Sequence, residues 1–151
     1  MKPEPTPEHR WLSRLLGDWT WASEPVAGHE DHPPMTGTET VRGIGEIWVQ
    51  GAGQGAYGVT LITLGFDTRT GRFVGTWIGT MMTHQWVYDG ERSGDLLSLY
   101  ATGPSFSGDG TLSLYRDEIE LLSDDERLLR AFVQGADGSW SHFMTTRYRR
   151  A

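Results

Sequence analysis

The feature that most constrains this chain is a single change of hydrophobic period at Gly17. Before it, Trp11, Leu12, Leu15 and Leu16 fall at i, i+1, i+4 and i+5, one face of a short helix. After it, Trp19, Trp21 and Ser23 alternate with Thr20, Ala22 and Glu24, the two-residue period of a strand. No later segment returns to the helical period for the length of a crossover helix. A parallel sheet needs such crossovers, so the chain beyond Gly17 reads as antiparallel β.

The punctuation agrees. Thr6-Pro7 is an N-cap followed by proline at the first helical position, and Gly17 stands where a helix-ending glycine belongs, which predicts a helix over Pro7–Leu16. Further strands are expected near 38–50, 57–67, 72–80, 84–89, 95–103, 110–122, 127–134 and 140–149. Turn signals separate them: Asp67 to Gly71, Asp89-Gly90, Gly108-Asp109-Gly110, Asp124-Asp125 and Asp137-Gly138. Val26–Gly37, with its prolines, glycines and charges, reads as a long loop. Short connections make sequential strands antiparallel neighbours. A meander of this length hides its edges best by closing, so the expected fold is an all-β, antiparallel closed barrel of about nine or ten strands with one short N-terminal helix. A two-sheet sandwich is the rival architecture. Residues 1–6 are proline-rich and expected to be loose, and 7–151 to form a single domain.

Composition narrows the function classes. The 151 residues carry a formal net charge of -7 and no cysteine. Disulfides and thiolate metal sites are therefore excluded, and the acidic surface disfavours nucleic acid and anionic lipid. No apolar run approaches the roughly 20 residues of a membrane span. The N-terminus lacks the apolar stretch of a secretory signal, so a cytoplasmic location is expected.

Several motifs carry chemistry on paper. Gly51-Ala52-Gly53-Gln54-Gly55-Ala56 imitates a dinucleotide fingerprint, but a strand-like segment follows instead of a helix, so it reads as a glycine-rich hairpin loop. His29-Glu30-Asp31-His32 gathers possible metal ligands, yet consecutive residues of an extended loop cannot all converge, so a solvated loop is expected and no metal site. Glu118, Glu120, Asp124, Asp125 and Glu126 surround a hairpin and read as a solvated face. No G-x-S-x-G or H-E-x-x-H occurs.

Two strand faces stand out. His84, Trp86 and Tyr88 share one, and Trp140, His142, Met144, Thr146 and Tyr148 share another if no bulge intervenes. Mixed imidazole, thioether and aromatic groups suit a cavity wall better than simple filling, for which Leu, Ile and Val suffice. The expected ligand pocket lies inside the barrel, lined by His84, Trp86, Trp140, His142 and Met144. Phe73 and Trp77 lie opposite Val74 and Ile78, so both faces of one strand are apolar and a homodimer is expected.

Two resemblances follow from these residues. Gly17-Asp18-Trp19 after a short helix, with Arg147-Tyr148-Arg149-Arg150 ending the chain, resembles the lipocalin G-x-W arrangement. By that resemblance Trp19 plugs one end of the barrel, with Arg147 or Arg149 stacked on it. The order His9-x-Trp11-Leu12, Leu16-Gly17-x-Trp19, Gly37-x-Glu39, Leu64-Gly65-Phe66-Asp67, Gly75-Thr76-Trp77, Met82-Thr83-His84-x-Trp86-x-Tyr88-x-Gly90 and Tyr148-Arg149-Arg150 resembles the bacterial family called domain of unknown function 1579. That resemblance implies a lipocalin-like or nitrobindin-like barrel and no particular substrate. Nitrobindin-like barrels hold haem through a histidine, with which His142 can be compared. Two readings stay open: a module binding a small, partly apolar molecule, and an enzyme using His84 or His142 as general base or haem ligand.

Overall fold

In the computed structural model, which describes residues 1–151, the helix begins where Thr6 and Pro7 require. Helix α1 spans Pro7–Ser13. Thr6 Oγ1 accepts from His9 N–H, and His9 Nδ1 accepts from Thr6 N–H at 3.0 Å, a capping box with histidine at the third position. With Nδ1 accepting, Nε2 carries the ring proton and donates to the Phe66 carbonyl at 3.1 Å, so the cap also ties the helix to the barrel. The helix ends earlier than the apolar face suggests. Leu15 and Leu16 N–H groups close i→i−3 turns on Leu12 and Ser13, and Gly17, at φ 123°, redirects the chain.

Ten strands follow: β1 (Gly17–Glu24), β2 (Thr36–Ile44), β3 (Trp48–Gly55), β4 (Gly58–Asp67), β5 (Arg72–Gly79), β6 (Trp86–Ser93), β7 (Leu96–Pro104), β8 (Leu112–Leu121), β9 (Glu126–Gln134) and β10 (Trp140–Arg150). All neighbours are antiparallel, and β1 pairs with both β2 and β10, which closes the barrel and removes the sandwich rival.

One correction concerns the stretch 38–56. The expected strand 38–50 is two strands, reversed at Gly45 (φ 62°), and the expected glycine-rich hairpin loop is most of β3. Glycine here makes room instead of making a turn. Gly51, Gly53 and Gly55 alternate onto the inner face. A Cβ would lie 3.1 Å from the Glu39 carboxylate at Gly51, 2.6 Å from Thr60 Oγ1 at Gly53, and 2.7 Å from the Trp21 ring at Gly55.

The helix covers one end, where Trp11, Leu12 and Leu15 join the core. Trp19 is 1% exposed and donates from Nε1 to the Leu15 carbonyl at 2.9 Å. Two guanidinium groups stack on it, Arg150 at 4.2 Å and Arg127 at 4.8 Å from the ring centroid. The expected partners Arg147 and Arg149 are not the ones. Arg150 is the residue directly opposite Trp19 in the β1–β10 register, and Arg147 points away to pair with Glu24 and Glu126. Arg150 also donates to the carbonyls of Leu16 (2.6 Å) and Arg14 (3.2 Å), so it caps the end of α1 while covering the plug.

Candidate functional site

A cavity of about 750 Å³ occupies the barrel interior. It reaches the end opposite α1, where Met35, Tyr57, Met81 to His84 and Pro104 to Phe106 line it from the connections between strands. Its walls are mainly apolar and aromatic, with two polar levels below an aromatic mouth.

The deepest level stands on the Trp19 plug. Arg127 (β9) donates to Glu39 (β2) at 2.5 Å, with both side chains almost wholly buried. The guanidinium also lies 3.8 Å from the centroid of Tyr148. Its buried Nε has no partner. Burial, chiefly, raises the Tyr148 hydroxyl far above the ordinary tyrosine range and raises Tyr57 as well.

The middle level is Asp117 (β8). One carboxylate oxygen accepts from Tyr88 OH (β6) at 2.7 Å. Its lateral neighbours are Leu99 and Ala131, so the strands beside it offer no counter-charge. Arg116 and Arg130 pair with Glu118 and Glu120, and Arg127 is committed to Glu39. Burial pushes the Asp117 carboxyl up to about 6, against the opposing pull of the Tyr88 hydrogen bond. A carboxyl titrating there can exchange a proton or meet a donor near neutrality.

A raised carboxyl makes stability depend on pH. The folded state holds the Asp117 proton more tightly than the unfolded chain, whose aspartate titrates near 4, so this group lowers stability as pH rises from about 4 to about 6. A tenfold difference in proton affinity between the folded and unfolded chains is worth about 1.4 kcal/mol, so Asp117→Asn is expected to gain up to about 3 kcal/mol at pH 8 and to add little at pH 4. Urea melts of both proteins at the two pH values check this. A variant no more stable than wild type at pH 8 would remove the strained carboxylate from the account.

The mouth is aromatic. Trp86 meets Tyr115 edge-on at 4.9 Å and His84 at 4.8 Å, and Phe106 meets Tyr115 at 5.7 Å and Phe143 at 4.9 Å. The Trp86 ring lies against Gly103, where a Cβ would overlap it. Trp86 Nε1 faces Met82 Sδ at 3.1 Å, and His84 Nε2 is held 3.0 Å from the Thr102 carbonyl.

Of the five residues expected in the pocket, His84, Trp86 and Met144 line it, and Trp140 and His142 do not. The register of β10 on β9 shifts between His142 and Met144, because Phe143 is an extra residue. A bulge reverses the facing on one side of it. Trp140 instead stacks on Arg116 at 4.6 Å, and His142 lies over Phe132 at 5.0 Å. His142 Nε2 is within 2.9 Å of the Met144 carbonyl and 2.7 Å of Thr145 Oγ1. A haem held in the barrel through His142 therefore does not fit, since the imidazole is on the other side of the wall.

Sequence reasoning missed Asp117, Glu39 and Arg127. For Asp117 a signal existed: Tyr115, Asp117, Ile119 and Leu121 form one strand face, apolar but for one carboxylate. The acidic residues singled out lie elsewhere. Glu118 and Glu120 pair with Arg130, Asp124 with Arg14, Asp125 with Arg150, and Glu126 with Arg147. His29 to His32 lie in the loop between β1 and β2.

Comparison with known proteins adds fold and family. The family described as "Protein of unknown function (DUF1579)" matches residues 4–150. No curated protein matches the chain. Among solved structures, Rv2717c from M. tuberculosis is similar at 16% identity and TM-score 0.57, over 98% of this chain and 99% of that one. Weaker likenesses are EF1p2_mFAP2b bound to DFHBI (15% identity, TM-score 0.47, 95% and 98% covered) and a redesigned beta barrel (15%, 0.41, 94% and 96%). No helix is long and apolar enough to cross a membrane.

Proposed function

Because the chain belongs to the DUF1579 family, whose description assigns no activity, we infer its function from the cavity: the barrel binds a small, mainly apolar molecule that presents a polar group to Asp117. The observation that carries this reading is the Asp117–Tyr88 couple, which has no counter-ion, in a mainly apolar wall. A barrel that needed only filling gains nothing from a buried carboxylate without a counter-ion, and the group costs stability at neutral pH. The volume of about 750 Å³ lies within the range of ligand pockets, roughly 300–1,000 Å³. The glycines on the inner face of β3 and Gly103 under the Trp86 ring make room for side chains that line that space, Glu39, Thr60, Trp21 and Trp86.

The neutral dye N-phenyl-1-naphthylamine, which brightens in apolar surroundings, tests the reading. It is expected to bind saturably at one site per chain. Ala101 lines the cavity beside Tyr115, and filling it with Ala101→Phe is expected to weaken binding about tenfold or more, the loss of a methylene-scale fit several times over. Circular dichroism establishes that the variant keeps its sheet. No saturable binding, or equal binding by the filled variant, would overturn the proposal.

A further inference from the structure

We propose that the ligand class of this cavity is a hydrophobic organic cation, an aromatic or alkyl ammonium whose charge is taken up by Asp117 and whose body lies among the aromatic walls. The inference rests on the ligand-binding reading above and names its chemistry.

Charge balance within the barrel points to a missing cation. Glu39 and Arg127 neutralise one another at 2.5 Å. Tyr88, Tyr148 and Tyr57 are held protonated by burial. Asp117 is then the one uncompensated ionisable group at mid-depth. A buried carboxylate without a counter-ion is a site short of a cation, and a ligand that carries one restores the pair. Tyr88 donates to one carboxylate oxygen, which leaves the other free to face the cavity.

The walls point the same way. Trp86 and Tyr115 each stand two residues along their strands from Tyr88 and Asp117, on the same faces, and meet edge-on at 4.9 Å. Trp77, paired directly with Trp86 across β5 and β6, lines the cavity as well, as do Trp21 and Tyr57. Ring faces attract cations, most strongly where water is excluded, and aromatic surroundings with a carboxylate are the usual recognition chemistry for ammonium groups. The chain's net charge of -7 adds long-range attraction of the same sign.

The groups facing Asp117 fix what a pH experiment reads. They are Tyr88 from β6, Tyr148 from β10, and the Glu39–Arg127 pair from β2 and β9, with Leu99 and Ala131 flanking. His84 is the titratable group at the mouth. Raising the pH through about 6 ionises Asp117, so a cation gains affinity with rising pH and a neutral isostere does not.

The test uses phenyltrimethylammonium and its neutral isostere tert-butylbenzene, each displacing N-phenyl-1-naphthylamine. The quantity read is the ratio of their affinities. Between pH 4.5 and pH 7.5 the ratio is expected to move about tenfold toward the cation, which is the change expected if the bound positive charge makes the carboxyl about tenfold more acidic. That movement should disappear in Asp117→Asn and persist in His84→Gln. A ratio that does not move with pH, or one that moves equally in Asp117→Asn, overturns the cation proposal while dye binding leaves the ligand-binding reading standing. If the dye itself does not bind, both readings fall together.

Discussion

Replacing Arg127 by methionine is expected to destabilise the protein by about 3–5 kcal/mol, because it strands the Glu39 carboxylate in the barrel without its partner. Removal also takes the guanidinium from between Trp19 and Tyr148, and both rings lose a stacked cation. The pair as a whole is worth far less than its breakage. Two charges were desolvated to form it, and the buried Nε of Arg127 was left without an acceptor. The double variant Glu39→Leu with Arg127→Met is therefore expected to recover most of the loss. Urea denaturation of the two single variants and the double variant measures this as a cycle. If Arg127→Met costs less than about 1 kcal/mol, the range of exposed pairs, the ion pair is not the buried one described.

Trp19→Ala is expected to cost about 3–5 kcal/mol, the usual range for emptying a fully buried aromatic site. Two features argue that the site cannot collapse to relieve the loss. The ring lies between guanidinium groups fixed elsewhere, Arg127 by Glu39 and Arg150 by the carbonyls of Arg14 and Leu16. Its Nε1 holds the Leu15 carbonyl just beyond α1, so the helix loses an anchor as well. Trp19→Phe keeps much of the ring, leaves that carbonyl without its donor, and should fall between wild type and alanine. Thermal and urea melts decide the order. A Trp19→Ala variant that melts with wild type would mean that this end is closed by the helix alone.

These two variants act on different levels of one column. Trp19 sits beneath Arg127, and Arg127 beneath the cavity. The plug gives the floor something rigid to stand on, the buried pair gives it polarity without net charge, and Asp117 above is left as the uncompensated group. The order follows from inward parity on β1, β9 and β8 together.

Much of this architecture was legible in the residues alone. The change of period at Gly17, the N-cap at Thr6 and most of the turn residues between strands are local chemistry, settled by neighbours within a few positions; the expected turn at Asp89-Gly90 instead lies inside β6, and the chain reverses at Gly94 (φ 60°). The closed antiparallel barrel followed because short turns force sequential pairing and unpaired edges are costly. The glycines of β3 misled for a physical reason. Glycine signals a turn when the backbone needs a positive φ, and here it signals the bulk of Glu39 and Thr60 on the adjoining strands and of Trp21 one strand further, which no local pattern displays.

The site divides the same way. His84, Trp86 and Met144 lie on the cavity wall, where dense local mixtures of aromatic and polar groups led one to expect them. Trp140 and His142 were misplaced by one residue, Phe143, whose bulge turns their side chains to the outer face. Facing along a strand is a running count, and a single insertion in the pairing reverses it. Whether Asp117 has a counter-ion depended on its own strand and two others, β9 and β2: on Arg116 and Arg130 facing outward, and on Arg127 being taken by Glu39 across the barrel. The sequence by itself determined that a barrel forms and that its interior is aromatic, because both are decided by period and turn. Only the closed structure decided which charge inside it has no partner, because that is a property of residues brought together from strands far apart in the chain.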